Sequence, residues 1–111
     1  MKIYHNPRCS KSRQTLEILR ENGVEPNIIE YLETPPNIDE LRDLLGKLGI
    51  SARDLARKKE SAAAGVDLAA ASEDEIIAAM AANPVMIERP IVVAGNKAVL
   101  GRPPENVIAL I

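Results

Sequence analysis

Apolar and polar residues alternate through "KIYH", residues 2 to 5, and the run stops at Asn6-Pro7, which predicts a first strand leading into a loop. From Ser10 the spacing becomes helical: Thr15, Leu16, Ile18 and Leu19 gather toward one side, and Gly23 marks the stop. "PNIIEYLE" then supplies Ile28, Ile29, Tyr31 and Leu32 as a second strand, closed by "TPP". Asn37 or Asp39 is placed to cap a helix whose apolar positions are Leu41, Leu44, Leu45 and Leu48, with Gly49 at its end.

Ser51 opens a short helical segment, "SARDLARKKE", and Gly65 interrupts the alanine-rich stretch after it. Ser72 and Glu75 form a capping box ahead of "IIAAMAA", a helix expected to end near Asn83-Pro84. In "RPIVVAGNKAVLG" two apolar runs meet at Gly95-Asn96, the signature of a tight hairpin. Pro103-Pro104 suits the first turn of a final helix, "ENVIAL", and Met80 and Met86 read as core filler.

A strand-helix-strand unit sets two strands parallel through a right-handed crossover, and the hairpin adds an antiparallel pair. The expected architecture is an α/β, thioredoxin-like fold: a four-stranded mixed sheet flanked by helices, with a helical insertion of about residues 37 to 83 between the second and third strands. The 111 residues leave room for one domain, residues 1 to 111.

Composition narrows the classes of function. Hydrophobic residues make up 46% of the chain, but two tyrosines are the only aromatics, so the core must be aliphatic. A net charge of -2 offers no general basic field for a nucleic-acid backbone, which predicts no nucleic-acid partner. No apolar run approaches the roughly 20 residues of a membrane span, and "MKIYHNPRC" has no signal-peptide core; the expectation is a soluble, cytoplasmic protein without a membrane partner. There is no cluster with metal-ligand spacing, so neither a metal nor a bound cofactor is expected.

The single cysteine, Cys9, lies in "HNPRCSKSR". It immediately precedes a predicted helix, whose unpaired N–H groups and positive dipole end favour a thiolate and also attract oxyanions. Arg8, Lys11 and Arg13 add positive charge, and the hydroxyls of Ser10 and Ser12 are placed to hydrogen-bond the sulfur. Against these stands the common fate of a free cysteine, a small buried hydrophobe. Cys9-Ser10-Lys11-Ser12 also reads as a C-x-x-C motif whose second cysteine is serine. Such a monothiol forms a mixed bond with its substrate and needs an external thiol to resolve it. His5 has two readings, base or electrostatic partner to the thiol and hydrogen-bonded strand residue. Asn6 is expected to shape the loop by side-chain to backbone bonding.

These motifs taken together resemble the arsenate reductase family that couples to glutathione and glutaredoxin. The similarity runs through "YHNPRCSKSRQTLEILRENGVEP", "YLETPP", "LARKKE", "ERPIVV" and "GRPPENV". It implies a catalytic Cys9 and an oxyanion site formed by Arg57, Arg89 and Arg102, one from each of the last three motifs. Guanidinium forks suit tetrahedral anions, whereas each arginine taken alone also reads as a solvated surface charge. Thioredoxin-like folds place a cis-proline facing the active cysteine, and Pro90 occupies that position.

The resemblance further implies the reaction. Arsenate docks on the arginines, the Cys9 thiolate attacks arsenic, and glutathione as co-substrate releases arsenite before glutaredoxin clears the mixed disulfide. Members of the family usually carry small uncharged residues around the cysteine, where this chain has Arg8, Ser10 and Lys11. Two other activities fit the same family: a monothiol thiol-transfer enzyme on another substrate, and a non-enzymatic redox regulator that binds a partner such as RNA polymerase.

Overall fold

The computed structural model describes residues 1–111 and forms two compact units, Met1–Thr34 with Arg89–Ile111, and Pro35–Glu88. The first unit holds the sheet. Strands β1 (Lys2–His5), β2 (Asn27–Glu30), β3 (Ile91–Ala94) and β4 (Lys97–Leu100) lie in the order β2-β1-β3-β4. β1 runs parallel to β2, with Ile3 opposite Ile28, and antiparallel to β3, with Ile3 opposite Val92. β3 and β4 form the expected hairpin around Gly95, whose φ of 61° is the left-handed conformation a glycine adopts without strain. This is the mixed sheet of a thioredoxin-like fold.

Helix α1 (Ser10–Glu21) crosses between the parallel strands. It buries Thr15, Leu16 and Leu19 on one side, the spacing its sequence dictates. Leu16 and Leu19 join Ile3, Val92 and Val107 in an aliphatic core, with Ile18, Val24, Val99 and Leu110 packed around it. The final helix expected at "ENVIAL" is present as a 3-10 helix, Pro104–Leu110, and contributes Val107. The second strand is shorter than expected. Its last residue, Glu30, pairs with His5, where β1 ends, so the chain has nothing further to pair with and turns. The N–H groups of Glu33 and Thr34 bond back to Glu30 O, and Tyr31 is buried within that turn.

The second unit is helical: α2 (Ile38–Leu48), α3 (Ala52–Leu55), α4 (Lys58–Ala63) and α5 (Glu73–Ala82). Asn37 caps α2 in a capping box with Glu40, and Ser72 and Glu75 do the same for α5. Leu41, Leu44 and Leu45 of α2 and Ile76, Ile77 and Met80 of α5 are buried. Glu73 at the start of α5 accepts the N–H of Ala52 through both carboxylate oxygens, at 2.9 and 3.0 Å, which fastens α3 to α5.

"SARDLARKKE" forms two short helices and not one. The break falls at Ala56 and Arg57, where the backbone is extended and pairs with residues 86 to 88: Ala56 bridges Ile87, Arg57 N–H donates to Met86 O at 2.7 Å, and Glu88 N–H donates to Leu55 O at 2.9 Å. A partner distant in sequence has overridden the local helical preference. No helix of the structure is long and apolar enough to cross a membrane.

Candidate active site

Cys9 is the N-cap of α1, with φ −92° and ψ 122°, and is partly exposed. Its backbone is fixed on both sides, by Cys9 N–H donating to Asn6 O at 3.0 Å and Arg13 N–H donating to Cys9 O at 3.0 Å. Asn6 shapes the loop as expected, its Oδ1 accepting the N–H of Arg8 at 3.0 Å. α1 has no acidic residue in its first turn, so nothing there offsets the positive end of its dipole.

The sulfur sits in a divided environment. Burial is the largest single influence and pushes the Cys9 thiol up. The Ser12 N–H, the Arg89 side chain through a hydrogen bond and its charge, and the Lys11 N–H act the other way, and together they hold the thiol below its ordinary range. The geometry therefore favours a thiolate, and the N–H groups at the head of α1 contribute as expected; the side-chain charge, however, has a different source. Charge reaches the sulfur from Arg89, which precedes the neighbouring strand β3, while Arg8 and Arg13 are exposed and Lys11 contributes its backbone. Arg13 Nη1 donates to Pro7 O at 3.0 Å and so braces the loop.

Ser10 is exposed at the first helical position. Ser12 is fully buried, and its hydroxyl turns away toward β1: Oγ lies 2.6 Å from His5 Nδ1 and accepts the N–H of Asn6 at 3.1 Å. His5 thus reaches the cysteine loop through Ser12. Burial lowers its pKa, with Arg20 and Arg13 acting in the same direction and Glu30 opposing them, so the imidazole is kept neutral.

Arg89 and Arg102 are tied together. Arg102 Nη1 donates to Arg89 O at 3.1 Å, and both arginines precede cis-prolines, Pro90 and Pro103. Gly101 N–H donates to Pro90 O at 2.9 Å, which places Arg102 next to the Arg89-Pro90 turn. The first unit therefore brings together Cys9, Ser12, His5, Arg89, Pro90 and Arg102.

Arg57 belongs to the second unit. Its Nε donates to Glu60 Oε2 at 3.0 Å and its Nη1 to Glu88 Oε1 at 2.6 Å. Burial lowers the pKa of this arginine, but the two carboxylates outweigh it and keep the guanidinium charged. Sequence reasoning missed both partners. Glu60 was legible as an i,i+3 neighbour of Arg57, whereas Glu88 comes alongside only through the pairing of residues 56 and 87.

Comparison with known proteins identifies the family. The profile of the ArsC family matches residues 4–110. The uncharacterized protein YfgD of Escherichia coli K12 is 56% identical over all of this chain and 96% of its own length. The arsenate reductase of Neisseria meningitidis is 45% identical over all of this chain and 97% of its own. Among solved structures, the arsenate reductase of Vibrio cholerae superimposes with a TM-score of 0.93 at 46% identity, covering 99% of this chain and 96% of that one. With a family match across nearly its whole length, a thioredoxin-like sheet and a cysteine at the head of its first helix, this chain belongs to the ArsC family.

Proposed function

We propose that this protein reduces arsenate to arsenite, using Cys9 as nucleophile and glutathione and glutaredoxin as the source of electrons. The observation that carries the reading is the convergence on one sulfur of the α1 N-terminus and Arg89, with Arg102 bonded to the backbone of Arg89. The relatives that bear the name arsenate reductase support the choice of oxyanion.

Arsenate binds to Arg57, Arg89 and Arg102. The Cys9 thiolate attacks arsenic; a sulfur–arsenic bond forms, an arsenic–oxygen bond breaks, and the oxygen leaves as water or hydroxide. A glutathione thiolate then attacks the Cys9 sulfur. A disulfide forms between the two thiols, and the electron pair of the sulfur–arsenic bond stays on arsenic, which departs as arsenite. The two thiols supply the two electrons that arsenic gains. Glutaredoxin then attacks the mixed disulfide and returns Cys9 to the thiolate. One cysteine suffices for this sequence, because each later thiol is external. A reducing, glutathione-rich compartment such as the cytoplasm suits the reaction.

The test is arsenate-dependent NADPH oxidation in the presence of glutathione, glutaredoxin and glutathione reductase. Turnover in the wild type and its loss in a folded Cys9→Ser variant are expected. Unchanged turnover by Cys9→Ser would remove the mechanism. No arsenate-dependent oxidation with an active glutaredoxin present would point instead to thiol transfer on another substrate.

A further inference from the structure

Arg57 is held by two carboxylates, an arrangement at odds with a simple anion trap. Arg57, Glu60 and Glu88 line the same groove, of about 1020 Å³, together with Lys58 and Lys59. Glu60 takes Nε and Glu88 takes Nη1, which leaves Nη2 to meet a ligand. Nη1 and Nη2 share one carbon, so an oxyanion bonded to Nη2 is a close neighbour of the Glu88 carboxylate. The two glutamate side chains are 20% and 25% exposed, so water screens them from such a ligand only in part.

We propose that Glu60 and Glu88 make the Arg57 position selective for oxyanions that carry a proton, accepting arsenate and phosphate and refusing sulfate. This rests on the reading that Arg57 holds the oxyanion. Ionised carboxylates only accept hydrogen bonds. In mildly alkaline solution arsenate and phosphate are mainly monohydrogen dianions, each with one hydroxyl to donate to Glu60 or Glu88. Sulfate has the same charge and shape but no proton. It presents oxygen lone pairs to oxygen lone pairs, and the partly buried carboxylates face a like charge. A site that hydrogen-bonds a ligand hydroxyl discriminates strongly against the analogue that lacks it. If the glutamates served only to fasten α4 to residues 86 to 88, they would affect every anion alike.

The experiment measures how phosphate and sulfate each protect Cys9 from alkylation in mildly alkaline buffer, in the wild type and in Glu60→Gln, Glu88→Gln and Arg57→Ala. Circular dichroism establishes that each variant is folded, and if one glutamine variant is not, the other carries the test. In the wild type phosphate protects at a concentration roughly tenfold or more below that of sulfate. In either glutamine variant sulfate gains and phosphate changes little, because an amide both accepts from a hydroxyl and donates to a bare oxygen, so the ratio falls toward one. A wild type that does not discriminate overturns the proposal, as do glutamine variants that keep the wild-type ratio while Arg57→Ala weakens both anions. If Arg57→Ala leaves both anions unaffected, or if neither anion protects the wild type, the placement of the oxyanion at Arg57 is itself wrong and the selectivity falls with it.

Discussion

Gly101 lies directly against Thr15, so closely that a methyl group on its α-carbon would collide with the threonine side chain. Such a methyl would stand 3.0 Å from Thr15 Cγ2 and 2.7 Å from Pro90 Cγ. The contact joins three parts of the candidate site. Thr15 is on α1, the helix that Cys9 caps; Pro90 follows Arg89; and Gly101 precedes Arg102. Thr15 Oγ1 donates to Lys11 O at 2.8 Å and lies 3.4 Å from Gly101 O.

Gly101→Ala is therefore expected to destabilise the protein by about 1–3 kcal/mol, the usual cost of overpacking a tight contact. Because the clash involves Thr15, adding Thr15→Ala should recover part of the loss. Urea denaturation of the two single variants and the double variant measures the coupling. Strictly additive effects would show that the two residues do not press on each other.

Cys9 alkylation should reach half its maximal rate at a pH below that of an ordinary thiol. The folded chain holds a thiolate where the unfolded chain holds a thiol, so the associated stability is present above the ordinary thiol value and is lost as pH falls through the lowered one. Arg89→Gln removes both the hydrogen bond and the charge, and the rate profile should move up in pH. On the proposed reaction, kcat/KM for arsenate should fall roughly 10²-fold in the same variant. A profile that does not move would exclude Arg89 as the source of charge at the sulfur.

His5 is neutral when folded and protonates more readily when unfolded. Its contribution is complete above the ordinary imidazole range and declines as pH falls through that range toward the lowered folded value. Stability of the wild type should drop over that window, and His5→Gln should flatten the drop. Equal acid sensitivity of the two proteins would mean that other groups control it.

Asn37 accepts the Glu40 N–H at 2.8 Å, and Glu40 Oε1 lies 3.4 Å from the Asn37 N–H in return. Asn37→Ala should cost about 1 kcal/mol, measured by thermal or urea unfolding. On the proposed reaction, no change in arsenate turnover at ambient temperature is expected, since the cap acts on the start of α2 alone.

Much of the local structure was legible because it is decided by neighbours in sequence. The Ser72 and Glu75 box, the stop at Asn83-Pro84 and the Gly95-Asn96 hairpin depend on groups within a few residues of one another. The errors arose where distant partners intervened. Helix "SARDLARKKE" was split by pairing with residues 86 to 88, and strand β2 was cut short because β1 ended opposite Glu30. In the site itself, the cations nearest Cys9 in sequence were the natural candidates for its electrostatics. Arg8 and Arg13 are exposed, however, and Arg13 is bonded to Pro7 O.

By itself the sequence determined a strand, a helix with a cysteine at its head, and arginines placed before prolines, because helix ends, turns and apolar periodicity are short-range effects. Only the tertiary structure decided which groups act on the sulfur and which restrain the arginines. Arg89 is 80 positions from Cys9 and Glu88 is 31 from Arg57, and sheet pairing and packing, not local spacing, bring each pair together.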